Sequence, residues 1–274
     1  MQSASRTDLV ELDKDHPGFK DPVYRARRNE IARVAQEYTD GEPVPRVPYT
    51  DEEHAVWREV FKHLAPLHAR LACSAYQEGA ALLALSHDHI PQIADVDRTL
   101  HDTVGFRFFP VAGLVTAHTF LTYLKNRVFL STQYVRHASR PLYTPEPDVI
   151  HEVVGHAATF LHPSFVELNL LFGDAMGRAR SDDDVERIAR AYWYTLEFGV
   201  VVEDGEKRVY GAGLLSSFGE LERFLTHAEL RDLDLDVVAE TPYDPTDYQR
   251  VLYVAPSLAE LPALTRAWLA RHGL

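Results

Sequence analysis

The chain has 274 residues, 46% hydrophobic and 25% charged, which is an ordinary composition for a globular protein in water. Its net charge of −13 disfavours binding to nucleic acid or anionic membranes, and no apolar run is long enough to span a bilayer. The one cysteine, Cys73, excludes an internal disulfide and is typical of the reducing cytoplasm. The length is close to the limit of about 250–300 residues for one hydrophobic core. We therefore expect a polar segment over residues 1–20 and a single domain over residues 21–274.

The N-terminal part of the chain contains two sequence signals for the start of a helix. Asp21 followed by Pro22 predicts an N-cap and a first helical position, with the helix running to about Tyr38. Thr50 and Glu53 have the spacing of a capping box and predict the start of a second helix. The spacing of the apolar residues also predicts helices over about 67–75, 78–85 and 116–127, with Pro66 ending the second helix, an extended piece over 105–115, and a strand or helix over 129–134.

The C-terminal part carries equally local signals. Ser181 followed by three aspartates predicts a capped helix that ends near Gly199. Asp204-Gly205 between two apolar runs predicts a β-hairpin with a two-residue turn. Ser257 is expected to cap the last helix. The predicted fold is mainly α-helical with a few short β-strands.

His151 and His156 are the first candidates for a metal site. Zinc proteases place two histidines four residues apart, on one helix face, whereas here the separation is five. Five residues correspond to about 500° of rotation on an α-helix, so the two rings would point roughly 140° apart. They converge only if His151 lies at the helix start, where Pro145 and Pro147 leave the backbone freer. Gly155 would remove a side chain beside the metal.

A third ligand is needed, and Glu197 is the best candidate. It lies in the aromatic segment YWYTLEFG, where a buried carboxylate is costly without a partner. Two histidines and one carboxylate leave coordination positions open and suit Fe(II) that binds dioxygen. A metallohydrolase using His151, Glu152 and His156 is an alternative, although the five-residue spacing counts against it. Helical histidines are also often ordinary core or surface residues.

Seven segments resemble, in order, those of the pterin-dependent aromatic amino acid hydroxylases. They are HPGFKDPVYRARR (16–28), PRVPY (45–49), GFRFFPVAGL (105–114), TQYVRH (132–137), YTPEPDVIHEVVGH (143–156), YWYTLEFG (192–199) and YGAGLLSSFGEL (210–221). The resemblance implies the helical basket of that family's catalytic domain, here residues 21–274. It covers only this domain, and the tetramerisation tail of the animal enzymes is missing, so we expect a monomer.

The resemblance also implies the cofactors and their ligands. Fe(II) would be held by His151, His156 and Glu197, and tetrahydrobiopterin or a related tetrahydropterin would donate two electrons. Dioxygen and an aromatic L-amino acid would be the substrates, and pterin-recycling enzymes would be partners. The residues expected to contact the pterin are Gly113, Val115, Phe120, Glu152 and Tyr192. Read without the family, Phe120 and Tyr192 also fit ordinary helical core positions.

The amino acid substrate has its own expected contacts. Arg136 would bind the carboxylate with its guanidinium fork, and Asp148 would hold Arg136 in place. The other expected contacts are Thr144, Pro145, Trp193, Ser216 and Ser217, and we expect Glu152 and Ser216 to act in catalysis. Asp148 also fits the N-cap of the His151 helix, and Ser216-Ser217 also fit a turn or a cap.

Three departures from the family concern specificity. Leu130 replaces a histidine that the animal enzymes have near the pterin, Pro245 lies in a loop (243–250) that helps to select the ring, and residues 157–159 are atypical. We predict conversion of phenylalanine to tyrosine. Hydroxylation at the meta position, or of tyrosine or tryptophan, remains an alternative within the class. A catalytically inactive binding protein is a more distant one.

Overall fold

A computed structural model describes residues 9–10 and 12–274, so most of the predicted polar segment 1–20 is included. The described chain is mainly α-helical, as predicted. Its α-helices are α1 (Pro22–Glu37), α2 (Asp51–Leu71), α3 (Ser74–Leu83), α4 (Ile93–Val104), α5 (Ala117–Leu124), α6 (Ala158–Phe160), α7 (Pro163–Met176), α8 (Asp182–Tyr192), α9 (Ala212–Ser216), α10 (Phe218–His227), α11 (Leu235–Glu240) and α12 (Leu261–Arg271). Two π-helices, His151–Ala157 and Trp193–Glu197, complete the helical part. None of the described helices is long and apolar enough to cross a membrane.

The strands are short and form two small sheets at the edges of the helical body. They are β1 (Arg107–Pro110), β2 (Val128–Ser131), β3 (Val200–Glu203), β4 (Glu206–Val209), β5 (Glu229–Asp232) and β6 (Val251–Ala255). Strands β1 and β2 pair in parallel. The other four have the order β4-β3-β6-β5, with β3 antiparallel to β4 and parallel to β6, which in turn is parallel to β5.

The helix caps predicted at Asp21, Thr50 and Ser181 are confirmed. The Asp21 carboxylate accepts the first free amides of α1, and Thr50 with Glu53 forms the complete capping box of α2. Ser181 accepts the Asp184 amide at the start of α8. Asp204 and Gly205 both have positive φ, 52° and 78°, which is the turn geometry expected for a two-residue hairpin.

Several predicted boundaries are wrong. The helix predicted to end at about residue 75 ends at Leu71, and the one predicted to begin at about residue 78 begins at Ser74. Helix α2 continues through Pro66 to Leu71, because its buried stripe runs unbroken on both sides of the proline and outweighs the one lost backbone hydrogen bond. The last helix begins at Leu261 rather than at Ser257. The Ser257 hydroxyl instead accepts the Glu260 amide at 3.2 Å, in a turn that precedes the helix. Helices α4, α7, α9, α10 and α11 were not predicted.

The π-helix His151–Ala157 runs through the main hydrophobic core. Val153, Val154 and Ala157 are at most 1% exposed, and neighbouring helices approach its backbone closely. A Cβ at Gly155 would lie 2.6 Å from the Ala212 carbonyl oxygen of α9. One at Gly79 of α3 would lie 1.9 Å from the carbonyl oxygen of Ala158, directly after the π-helix. Glycines therefore allow the backbone contacts that hold this helix on two sides.

We expect Gly79→Ala to lower the free energy of unfolding by about 1–3 kcal/mol, because the new methyl group would overlap the Ala158 carbonyl. The same change in an uncrowded helix would stabilise the protein by about 0.5–1 kcal/mol, so the sign of the change in unfolding free energy shows whether the position is crowded. Gly177→Ala is the control, because only the flexible end of the Lys125 side chain lies within 3.4 Å of its Cβ position. Urea denaturation measures both, and a Gly79→Ala protein as stable as wild type would contradict this packing.

Candidate metal centre

The two histidines meet because the segment that carries them is π-helical. A π-helix closes its hydrogen bonds between residues i and i+5, so side chains five apart lie on the same face. The Nε2 atoms of His151 and His156 are 3.0 Å apart. His151 is the first residue of the π-helix, but the expectation that freedom at a helix start makes the rings converge is wrong. The π turn itself aligns them, and the α-helical angle of about 140° does not apply.

Glu197 approaches from the second π-helix. The Phe198 amide donates to the Trp193 carbonyl at 2.8 Å, which is the i to i+5 bond that ends this helix. The carboxylate oxygens of Glu197 lie 3.1 Å from Nε2 of His156 and 3.6 Å from Nε2 of His151. The three predicted ligands therefore converge from two separate π-helices. Two nitrogens and one carboxylate at these distances form the donor set of a two-histidine, one-carboxylate centre.

Hydrogen bonds set the tautomer of His151. The Ser216 hydroxyl donates to the Ala212 carbonyl at 2.8 Å, so it accepts from Nδ1–H of His151 at 3.0 Å. Nε2 of His151 then carries a lone pair that faces His156 and Glu197, as a metal ligand requires. Burial also lowers the pKa of His151 to about 4, which keeps the ring neutral. The structure thus places Ser216 behind a candidate ligand.

The charges of the other two groups are coupled. Burial alone would lower the pKa of His156, but the nearby carboxylates of Glu197 and Glu152 outweigh it and raise that pKa. Burial likewise opposes ionisation of Glu197, yet His156 and His151 lower the pKa of its carboxyl. The protein alone therefore stabilises a carboxylate beside an imidazolium. A divalent cation would replace that proton and satisfy all three groups.

Glu152 provides a second carboxylate beside the histidines. Its ligand-capable oxygen lies within 4.8 Å of the ligand-capable nitrogens of His151 and His156. Its Oε1 accepts hydrogen bonds from the amide and the hydroxyl of Thr132, at 3.1 Å and 2.9 Å. Burial raises the pKa of Glu152 to about 7. Because Thr132 holds one oxygen in place, we regard Glu197, with its shorter contacts, as the better third ligand.

A cavity of about 230 Å³ opens beside these groups. All five residues predicted to contact a pterin line it, as do the three predicted ligands and Trp193. The sequence reading missed several further lining residues, among them Phe129 and Tyr243. The Phe120 ring packs edge-on against Phe129 and Tyr192, with centroids 5.3 and 5.7 Å apart. The Tyr192 hydroxyl is buried without a hydrogen-bond partner among the described residues, so a bound polar group would satisfy it.

The other predicted substrate residues do not line this cavity. They are Arg136, Thr144, Pro145, Asp148, Ser216 and Ser217. The Thr144 hydroxyl donates to the Glu146 carbonyl at 2.7 Å, within a turn. Ser216 ends α9 and Ser217 precedes α10, so this pair joins two helices, which was the alternative reading.

Arg136 and Asp148 form a buried ion pair behind the π-helix. Nη2 and Nε of Arg136 lie 2.8 and 2.9 Å from the two oxygens of Asp148. Asp148 also accepts the His151 amide at 3.2 Å, so it both holds Arg136 and caps the short helical turn of residues 149–150 that leads into the π-helix. Although burial opposes it, Arg136 lowers the pKa of Asp148. Nη1 of Arg136 has only a long contact of 3.5 Å, to the Pro141 carbonyl.

Comparisons with known proteins agree with this architecture. The profile of the family described as biopterin-dependent aromatic amino acid hydroxylase matches residues 4–272. The chain is 44% identical to human tyrosine 3-monooxygenase and to rat phenylalanine-4-hydroxylase, in each case over 95% of its length. These alignments cover 50% and 58% of the two relatives, so the chain spans about half the length of the curated relatives it matches.

Solved structures show the same fold. The Chromobacterium violaceum phenylalanine hydroxylase structure with bound iron(III) and 7,8-dihydrobiopterin superposes with a TM-score of 0.77 at 28% identity, covering 88% of this chain and 90% of that one. The apo enzyme from Colwellia psychrerythraea gives 0.78 at 28% identity, over 85% and 91% of the two chains. The fold and the site together define a mainly helical protein in which two histidines and one carboxylate form the donor set of a non-haem metal centre. The chain belongs to the biopterin-dependent aromatic amino acid hydroxylase family.

We expect Asp148→Ala to destabilise the protein by about 3–5 kcal/mol at pH 7, because it leaves the buried Arg136 guanidinium unpaired. Arg136→Met in the same protein should restore much of this loss, since no buried charge then remains. The exposed ion pair of Asp236 is the control, and Asp236→Ala should cost less than about 1 kcal/mol.

The same pair predicts a pH dependence. The folded-state pKa of Asp148 is lowered from 3.8, so its contribution is fully present above that pH and is lost as the pH falls through the lowered value. The difference between wild type and Asp148→Ala should therefore shrink below about pH 4. Urea denaturation across this range measures it, and a difference that grows on acidification would contradict the ion pair.

Proposed function

We propose that this protein is a non-haem iron, tetrahydropterin-dependent monooxygenase that hydroxylates the ring of an aromatic L-amino acid, converting phenylalanine to tyrosine. The observation that carries the proposal is the convergence of His151, His156 and Glu197 beside an aromatic-lined cavity. The relatives include a tyrosine 3-monooxygenase and a phenylalanine-4-hydroxylase at the same 44% identity, so sequence identity alone does not indicate which amino acid is the substrate.

The donor set fits iron. Nε2 of each histidine and the Glu197 carboxylate would hold Fe(II), with Ser216 fixing the His151 tautomer from behind. Three protein ligands on one side leave positions open toward the cavity. When bound, iron and the tetrahydropterin together supply the reduction of dioxygen that ring hydroxylation requires.

The protein contributes orientation and a dry cavity. Phe120 and Tyr192 offer ring faces and edges for a flat heterocycle, and Gly113 and Val115 offer backbone at the same wall. Glu152 also lines the cavity, and Thr132 donates to its Oε1. Leu130 makes this wall more apolar than the histidine of the animal enzymes would. These residues would hold the pterin against the metal site and exclude water.

Arg136 is the proposed anchor for the amino acid carboxylate. Asp148 accepts from Nε and Nη2 of Arg136, which fixes the guanidinium plane. Nη1 has only the 3.5 Å contact to the Pro141 carbonyl, so it would be the donor to the substrate carboxylate. Trp193 would form the wall for the aromatic ring. Thr144, Pro145 and Ser217 would support the amino acid backbone, after the local adjustment needed to reach the cavity.

The direct test supplies Fe(II), tetrahydrobiopterin and oxygen with phenylalanine, tyrosine or tryptophan. We expect tyrosine from phenylalanine at a yield coupled to pterin oxidation, identified by chromatography and mass spectrometry. A meta-hydroxylated product, or turnover only of tyrosine or tryptophan, would keep the class and change the substrate. Iron-loaded protein that oxidises no pterin and forms no product would overturn the proposal.

We expect His156→Ala to lose iron retention by at least about tenfold, because one of three ligands is removed. Metal analysis after Fe(II) loading measures this, with circular dichroism to confirm the fold. His101→Ala is the control, since that histidine is exposed and far along the chain from the site. Full iron occupancy in His156→Ala would refute the ligand assignment, and preferential retention of zinc by wild type would favour the metallohydrolase.

A further inference from the structure

One wall of the cavity is a stacked pair of rings. Trp193 and Tyr243 both line the cavity, with centroids 4.2 Å apart and planes inclined by 12°. Trp193 opens the π-helix that carries Glu197, whereas Tyr243 begins the loop of residues 243–250. The two rings therefore come from segments about 50 residues apart in sequence, and their alignment depends on what holds the loop against the π-helix.

The Gln249 side chain makes the attachment to Trp193 itself. Its Oε1 accepts a hydrogen bond from the Trp193 indole N–H at 3.0 Å. Its Nε2 donates to the carbonyls of Asp244 and Asp247 at 2.9 and 3.0 Å. The carboxamide thus closes the loop upon itself and ties the closed loop to the indole. Within the described part of the chain, Gln249 Oε1 is the acceptor for the indole N–H of Trp193.

The loop is fixed to the rest of the molecule at both ends. The Gln249 amide donates to Oε1 of Glu220 at 2.8 Å, which places the loop on α10. The Tyr194 hydroxyl donates to the Pro242 carbonyl at 2.9 Å, just before Tyr243. Gly219 permits close approach on α10, because a Cβ there would lie 2.0 Å from the Tyr248 hydroxyl oxygen.

We propose that Gln249, anchored by Glu220, is a positioning residue that holds the Trp193–Tyr243 wall and thereby sets which aromatic ring the cavity accepts. This inference rests on the proposed function. Gln249 itself does not line the cavity and acts through the indole and the loop backbone. Without its carboxamide, the indole N–H and two loop carbonyls lose their partners. The Trp193 ring can then rotate away from Tyr243, and the cavity widens on the side of the substrate ring.

The first experiment compares wild type with Gln249→Leu, which has a similar volume and none of the three side-chain hydrogen bonds. The ratio of kcat/KM for phenylalanine to that for tryptophan should fall by about tenfold, the order expected for one or two lost hydrogen bonds. Glu220→Gln keeps the acceptor for the Gln249 amide and should retain most of the selectivity, whereas Glu220→Leu should lose it. Burial raises the pKa of Glu220 to about 7, so glutamine also mimics its protonated form.

The matched control is Gln92→Leu. The Gln92 carboxamide also ties down a loop, accepting from and donating to the backbone of Val47 at 2.8 Å in each case, but it does not line the cavity. This variant should lose stability without losing selectivity. If Gln249→Leu and Gln92→Leu change the ratio equally, or if Gln249→Leu leaves it within twofold of wild type, the proposal is overturned.

Tryptophan fluorescence provides a readout that needs no activity. Trp57 and Trp268 are almost fully buried, so subtracting the spectrum of Trp193→Phe isolates the Trp193 emission. We expect this component to shift in wavelength and become more accessible to acrylamide in Gln249→Leu but not in Gln92→Leu. An unchanged Trp193 component would overturn the positioning role. If wild type hydroxylates none of the three amino acids, the proposed function fails, and the fluorescence result still decides whether Gln249 holds Trp193.

A double variant tests whether the effect passes through the indole. Trp193→Phe removes the N–H donor, so adding Gln249→Leu to it should change the selectivity ratio by less than the same substitution does in wild type, because only the hydrogen bonds to the loop backbone are then lost. Fully additive effects of the two substitutions would show that Gln249 does not act through the Trp193 indole and would overturn the proposal.

Discussion

The site depends on a backbone conformation that helices rarely adopt. Only π-helical hydrogen bonding places His151 and His156 on one face with their Nε2 atoms 3.0 Å apart. A π-helix is less favourable than an α-helix, so the surrounding structure must hold it in place. Asp148 accepts the amide of its first residue, His151, and Gly155 lets the backbone of α9 pack against its middle. A second π-helix then delivers Glu197 from the opposite side of the centre.

Burying several ionisable groups next to each other requires each one to have a partner. Ser216 accepts from His151, Thr132 donates to Glu152, and Arg136 balances Asp148. His156 and Glu197 remain, and they satisfy each other at 3.1 Å. A metal ion can replace the proton that this pair shares with Nε2 of His151, because the hydrogen bonds of Ser216, Thr132 and Arg136 involve other atoms.

The two sides of the cavity are built differently. The ligand side belongs to helices in the centre of the core, where Val153 and Phe160 are fully buried. The Trp193–Tyr243 wall belongs partly to a loop whose hydrogen bonds converge on Gln249. Rigid placement suits groups that hold a metal, whereas a loop can vary in sequence without disturbing the core. Within one family, ring selectivity can therefore change while the metal site does not.

The sequence by itself determined the features that depend on near neighbours. Capping by Thr50 and Ser181, the Asp204-Gly205 turn and the identity of the candidate ligands can all be read locally, since each involves hydrogen bonds or motifs spanning a few residues. Tertiary structure decided the rest. Burial of a continuous apolar face carries α2 through Pro66, and long-range packing imposes the π-helical turns on segments whose composition does not distinguish them from α-helices. The pairing of Gln249 with Trp193 joins positions that no local pattern connects, because only the folded chain brings them together.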